Sequence, residues 1–69
     1  MSKRKTNNSN EGLDALENLG SYARREGRLD DALKYYRRAY DRVRREGGDS
    51  SKFRRLLDMV AREKEASGG

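Results

Sequence analysis

Residues 13–46 read LDALENLGSYARREGRLDDALKYYRRAYDRVRRE. With a tight turn at Gly27, this stretch is two amphipathic helices folded back on each other. Leu16, Leu19, Gly20 and Ala23 fall on one side of the first helix. Leu29, Ala32, Leu33, Tyr36, Ala39, Tyr40 and Val43 fall on one side of the second. Steps of three, four and seven residues recur in both sets, as they do along one face of a helix. Gly20, Ala23, Ala32 and Ala39 are small enough to let the axes approach, and large residues such as Tyr36 fill the gaps beside them. A glycine inside a helix costs about 1 kcal/mol against alanine, so Gly20 is expected to have a packing reason. Gly27 is expected to close the first helix in the left-handed conformation.

Arg24 and Arg25 lie in the last turn of the first helix. Asp30 and Asp31 open the second, and Arg44 and Arg45 end it. Each charge suits the dipole end it occupies. Asp30 to Lys34 and Asp41 to Arg45 have the spacing of favourable pairs along one helix. The first helix is expected to start near Asn10 or Glu11, with Asn10 as a cap. Gly47-Gly48 stops the second helix, and Asp49, Ser50 and Ser51 are candidate caps for a third. That third helix carries Phe53, Leu56, Leu57 and Val60 as one stripe, with Met59 and Ala61 beside it, and is expected to end near Ala66. The fold class is therefore all-α, a three-helix unit.

The hairpin resembles a tetratricopeptide repeat, a helix–turn–helix with the pattern W-x2-L-G-x2-Y…A-x3-F. Here the first block is Leu16-x2-Leu19-Gly20-x2-Ala23, with Tyr22 one place before the aromatic position. The second is Ala32-x3-Tyr36 followed by Ala39, and between them stand Gly27 and Leu29. The resemblance covers about half of the chain and a single repeat. It implies a helical hairpin with the third helix as its cap, since a lone hairpin leaves an apolar face open. Three-helix microtubule-interacting and transport domains have a similar layout and are the alternative fold.

A chain of 69 residues is one domain and buries a modest share of its surface. Three parts are expected: a disordered basic tail at 1–10, the helical domain at 11–66 and a flexible end at 67–69. Cys and His are absent, so disulfides and the usual zinc ligands are not available. No run approaches the roughly 20 apolar residues of a membrane span, and the N-terminal residues lack the apolar core of a secretory signal. The expected setting is a soluble, cytoplasmic protein with no membrane partner. No serine has a base beside it in the sequence pattern, and the carboxylates are scattered among arginines. The expectation is no enzyme, no metal and no cofactor.

The net charge is +5, of which Lys3, Arg4 and Lys5 contribute +3 within an acid-free tail. Arginine outnumbers lysine 12 to 5. The resemblance implies a protein–protein interaction module. The groove-lining face of the first helix would then comprise Asp14, Glu17, Ser21, Arg24 and Arg25. Glu17 and Ser21 stand where carboxylate-gripping family members carry lysine and asparagine. Self-association to a homodimer is a second form of the same function, because one repeat makes no array. Tyr22 and Tyr35 are the residues expected to be exposed for it, with Tyr36 in the core. An alternative from another class is nucleic-acid binding. It would use Arg37, Arg38, Arg42, Arg44 and Arg45 with Arg54 and Arg55, joined to Lys3, Arg4 and Lys5; Asp41, Glu46, Asp49 and Asp58 interrupt that ridge. A minimal repeat unit, excised or engineered, also fits the single repeat and the glycine-flanked end.

Overall fold

A computed structural model describes the backbone of residues 2–68 and the side chains of residues 12–67. Helix α1 is Ser2–Arg25, α2 is Leu29–Arg45 and α3 is Ser51–Gly68. The expected turns are where they were placed, but both outer helix ends differ. Helix α1 begins well before Asn10, so residues expected to be a disordered tail have helical backbone. Helix α3 continues past Ala66 to Gly68. The physical reason is the same at both ends. Once packing has formed a helix, each further residue gains a hydrogen bond without a new nucleation cost, and Lys and Arg at positions 3–5 are good helix formers.

Two short identical sequences close the first two helices. Arg-Arg-Glu-Gly occurs at 24–27 and again at 44–47. Gly27 has φ 83° and Gly47 has φ 79°, both left-handed. At the first closure the Arg28 amide donates to the Ala23 carbonyl at 2.8 Å and the Gly27 amide to Arg24 at 3.0 Å. At the second the Gly48 amide donates to Val43 at 2.9 Å and the Gly47 amide to Arg44 at 3.1 Å. This six-to-one plus five-to-two pattern is the Schellman motif. It satisfies carbonyls that a helix end leaves open, and only glycine takes the required φ without strain. Helix α3 starts differently. Asp49 Oδ1 accepts from the Ser51 amide at 3.0 Å and from Ser51 Oγ at 2.7 Å, so Asp49 is the capping side chain among the three candidates.

The helices form a shallow layer measuring 48 × 25 × 12 Å. Helix α2 is packed on both α1 and α3, and two ion pairs join α1 to α3. The core is Ala23, Ala32, Tyr36, Ala39, Val43, Phe53 and Val60. Leu13, Leu16, Leu29, Leu33, Tyr40, Leu56 and Leu57 pack around it, half-buried. The close-approach reading of Gly20 holds. A Cβ placed there would lie 2.5 Å from Tyr36 Cε1 and 2.7 Å from Cδ1. The Tyr36 ring therefore lies close against the glycine, 1% exposed.

Two side chains depart from expectation. Leu19 was assigned to the inner face but is 44% exposed. The face that meets α2 centres on Leu16, Gly20 and Ala23, and Leu19 lies about 100° round the helix from Gly20. Tyr35, expected to be exposed, is half-buried, while Tyr22 is exposed as expected. The helix-internal pairs are also different. Asp30 bonds Lys64 of α3 at 2.5 Å rather than Lys34, and Asp41 makes no ion pair with Arg45. Pairs along the helices form instead at Arg42–Glu46 and Asp58–Arg62.

Candidate functional site

The face of α1 offered by the sequence as a groove is largely turned to internal use. Glu17 Oε2 takes Lys52 Nζ of α3 at 2.7 Å. Arg24 grips Glu63 of α3 with two groups: Nε donates at 3.1 Å to both carboxylate oxygens and Nη2 donates to Oε2 at 2.5 Å. Planar two-point pairing of this kind is the strong form of a charge-assisted bond. The hydrogen bond to Glu63 raises the Arg24 pKa further, against a smaller desolvation effect. The same bond from Arg24 holds the Glu63 carboxyl below its ordinary range. Ser21 Oγ and Tyr36 Oη are 3.0 Å apart, which gives the buried ring a partner for its hydroxyl.

Of the five residues, Asp14 and Arg25 are exposed and make no ion pair among the described residues. Glu17, Ser21 and Arg24 hold the layer together. The two ion pairs also fix orientation, since Glu17 meets the start of α3 and Arg24 meets its end, so α1 and α3 run parallel. Tyr22 stands apart, 56% exposed on the outer edge of α1 beside Leu19.

Most basic side chains of α2 are exposed, while Arg42 reaches back over Gly12 of α1. Arg37, Arg38, Arg44 and Arg45 are exposed, as are Arg54 and Arg55 on α3. Arg44 lies over the Tyr40 ring, 5.5 Å from its centroid, with Nη1 3.4 Å from Tyr40 Oη. Arg42 is separated from this set; it pairs with Glu46 at 3.5 Å. Lys3, Arg4 and Lys5 have side chains outside the described residues.

A feature that the sequence reading did not single out lies between α2 and α3, on the side away from α1. Leu33 and Tyr40 of α2 and Leu57 and Ala61 of α3 form the floor of an open groove of about 460 Å³. Arg37 of α2 and Arg54 of α3 stand on its two sides, and Asp58 lines it too. A signal for it was present in the width of the stripe on α2. Leu29, Leu33 and Tyr40 extend that stripe beyond the line of Ala32, Tyr36, Ala39 and Val43, more apolar surface than one neighbour covers.

No protein-family model, curated protein or solved structure matches this chain. No cluster of three or more acids suited to a metal ion occurs among the described residues. The shifted groups Arg24, Asp49 and Glu63 each have a structural partner that accounts for the shift. No described helix is long and apolar enough to cross a membrane.

Proposed function

We propose that the chain is a protein–protein interaction module, a tetratricopeptide-like hairpin extended by a third helix. One observation carries this reading: the apolar floor of the α2–α3 groove is formed by half-buried side chains that no element of the described chain covers. Leu19 and Tyr22, exposed on the opposite edge of the layer, support it. Apolar side chains grouped within a polar surface are characteristic of docking sites. Most carboxylates among the described residues belong to ion pairs or a helix cap, which favours binding over catalysis.

The test is affinity capture with the immobilised chain, with Leu57→Ser as control after its helical signal has been matched to the original. Polypeptides retained by the original and lost from the variant support the proposal. Retention of nucleic acid alone, abolished by nuclease, would overturn it.

A specific observation keeps a second reading in place. Arg37, Arg38, Arg45, Arg54 and Arg55 meet no carboxylate among the described residues, so their charge is available to phosphates. This reading requires a mobility shift on nucleic acid that weakens steeply with salt.

A further inference from the structure

We infer that the groove between α2 and α3 receives an amphipathic helix of a partner protein, laid along its apolar floor with carboxylates on its flanks. The inference rests on the interaction-module reading and specifies the partner's chemistry. Three observations support it: the shape of the floor, the charge of its sides, and the lack of a matching surface on the chain itself.

The floor is supplied by two packed helices. Leu33 and Tyr40 are separated by two turns on α2, and Leu57 and Ala61 by one turn on α3. Such rows accept the ridge of another helix, as α2 already accepts α1 and α3. An extended peptide fits poorly. There is no strand edge among the described residues for its amides to pair with, and over an apolar floor they would lose water without a replacement. A helix satisfies its own backbone and brings only side chains to the groove.

The sides are basic. Arg37 and Arg54 are exposed and reach no carboxylate among the described residues, while Arg44 lies on the Tyr40 ring. The one acid lining the groove among the described residues, Asp58, is engaged by Arg62 at 3.4 Å. The net field over the groove is therefore positive. Guanidinium groups bind carboxylates in a planar, two-point geometry, so glutamate or aspartate on both flanks of the apolar stripe is the complementary partner.

A second copy of this chain does not offer that surface. The exposed apolar pair on α1, Leu19 and Tyr22, is bordered by Asn18 and Arg25, and Met59 of α3 is exposed singly. Glu26 is engaged by Arg28 at 3.0 Å, and Asp14, about 140° round the helix from Leu19 and about 80° from Tyr22, stands on one flank only. Among the described residues the stripe of Leu19 and Tyr22 thus lacks the free acids on both flanks that the groove calls for.

The experiment uses the full chain and two labelled, amidated helical peptides followed by fluorescence anisotropy. Both carry leucines at steps of three and four; one has glutamate on its flanks and the other lysine. The glutamate peptide should bind saturably with one site per chain, and the lysine peptide should not. Arg37→Glu with Arg54→Glu should weaken the glutamate peptide by roughly tenfold or more and admit the lysine peptide. Both substituted positions are exposed, so the helical signal should be unchanged. Equal binding of both peptides, or a glutamate peptide unaffected by the double substitution, overturns the inference. Sedimentation equilibrium and a single-stranded oligonucleotide separate its failure from that of the parent reading. No glutamate-peptide binding together with self-association that Tyr22→Ser abolishes refutes the acidic-helix groove and leaves an interaction module. Salt-sensitive oligonucleotide binding with neither peptide binding nor self-association refutes both.

Discussion

Gly20 is subject to two opposing effects. Helix propensity alone favours Gly20→Ala by about 1 kcal/mol. Packing opposes it, because the new Cβ would sit 2.5 Å from a ring carbon of Tyr36. Tyr36 is 1% exposed and its hydroxyl is engaged by Ser21, so the ring has little room to retreat. Forcing a group into a filled core costs typically about 1–3 kcal/mol, which outweighs the propensity gain. Gly20→Ala should lower the melting temperature, and Gly20→Leu should abolish cooperative unfolding. At Gly12 the atom in the way is the far end of the Arg42 side chain, which can swing aside. Gly12→Ala should therefore leave thermal stability unchanged or raise it. If the two alanine variants melt alike, the close contact with Tyr36 is not limiting. Tyr36→Phe isolates the hydroxyl and should cost about 1 kcal/mol in denaturant unfolding.

Helix α3 is held by a small core and a set of charged contacts. Its buried side chains are Phe53 and Val60, not Leu57, which lies half-buried in the floor of the groove. Val60→Asp should undock α3, seen as loss of helical signal and rapid proteolysis after residue 48. Leu57→Ser should leave α3 in place, which is what makes it usable as a binding control. Acid should loosen the same helix. Asp49 and Glu63 both have folded-state pKa values below their ordinary range, through Ser51 and Arg24 respectively. Such groups contribute stability above their unfolded pKa and lose it as the pH falls through the lower folded value. The melting temperature should therefore drop on acidification below about pH 4, in the ordinary carboxylate range. Glu63→Gln should make that drop shallower, and a variant with an unchanged acid profile would show that the Arg24 pair does not contribute.

The layer as a whole has a thin core for its length. Its shortest dimension is 12 Å, and small domains bury a limited fraction of their surface. With α2 packed on both α1 and α3, each of these helices covers part of it. Deleting residues 49–69 would expose Ala39, Val43 and the apolar edge of α2 to water. Residues 1–48 alone should then show a weak, non-cooperative helical signal. A cooperative melt of that fragment would mean that the hairpin is self-sufficient and that α3 is an appendage.

Much of this arrangement was legible in the residues. Apolar steps of three and four fixed three helices, and glycine after Arg-Arg-Glu fixed two of their ends, because both depend on neighbours close along the chain. Gly20 was also legible, since a costly residue in a helix interior implies a contact. Several features were not. Leu19 and Ala23 look equally internal on a helical wheel, and only the direction from which α2 approaches left Leu19 in solvent. Glu17, Ser21 and Arg24 looked like a free binding face until α3 arrived beside α1 and engaged two of them as ion-pair partners. Asp30 chose Lys64 over Lys34 for the same reason: a charge pairs with whatever the fold brings nearest. The sequence by itself determined the three helices, their turns and the broad apolar stripe of α2. The tertiary structure decided which polar groups were consumed internally and left the α2–α3 groove open, because burial and pairing are set by distances between elements that no local pattern encodes.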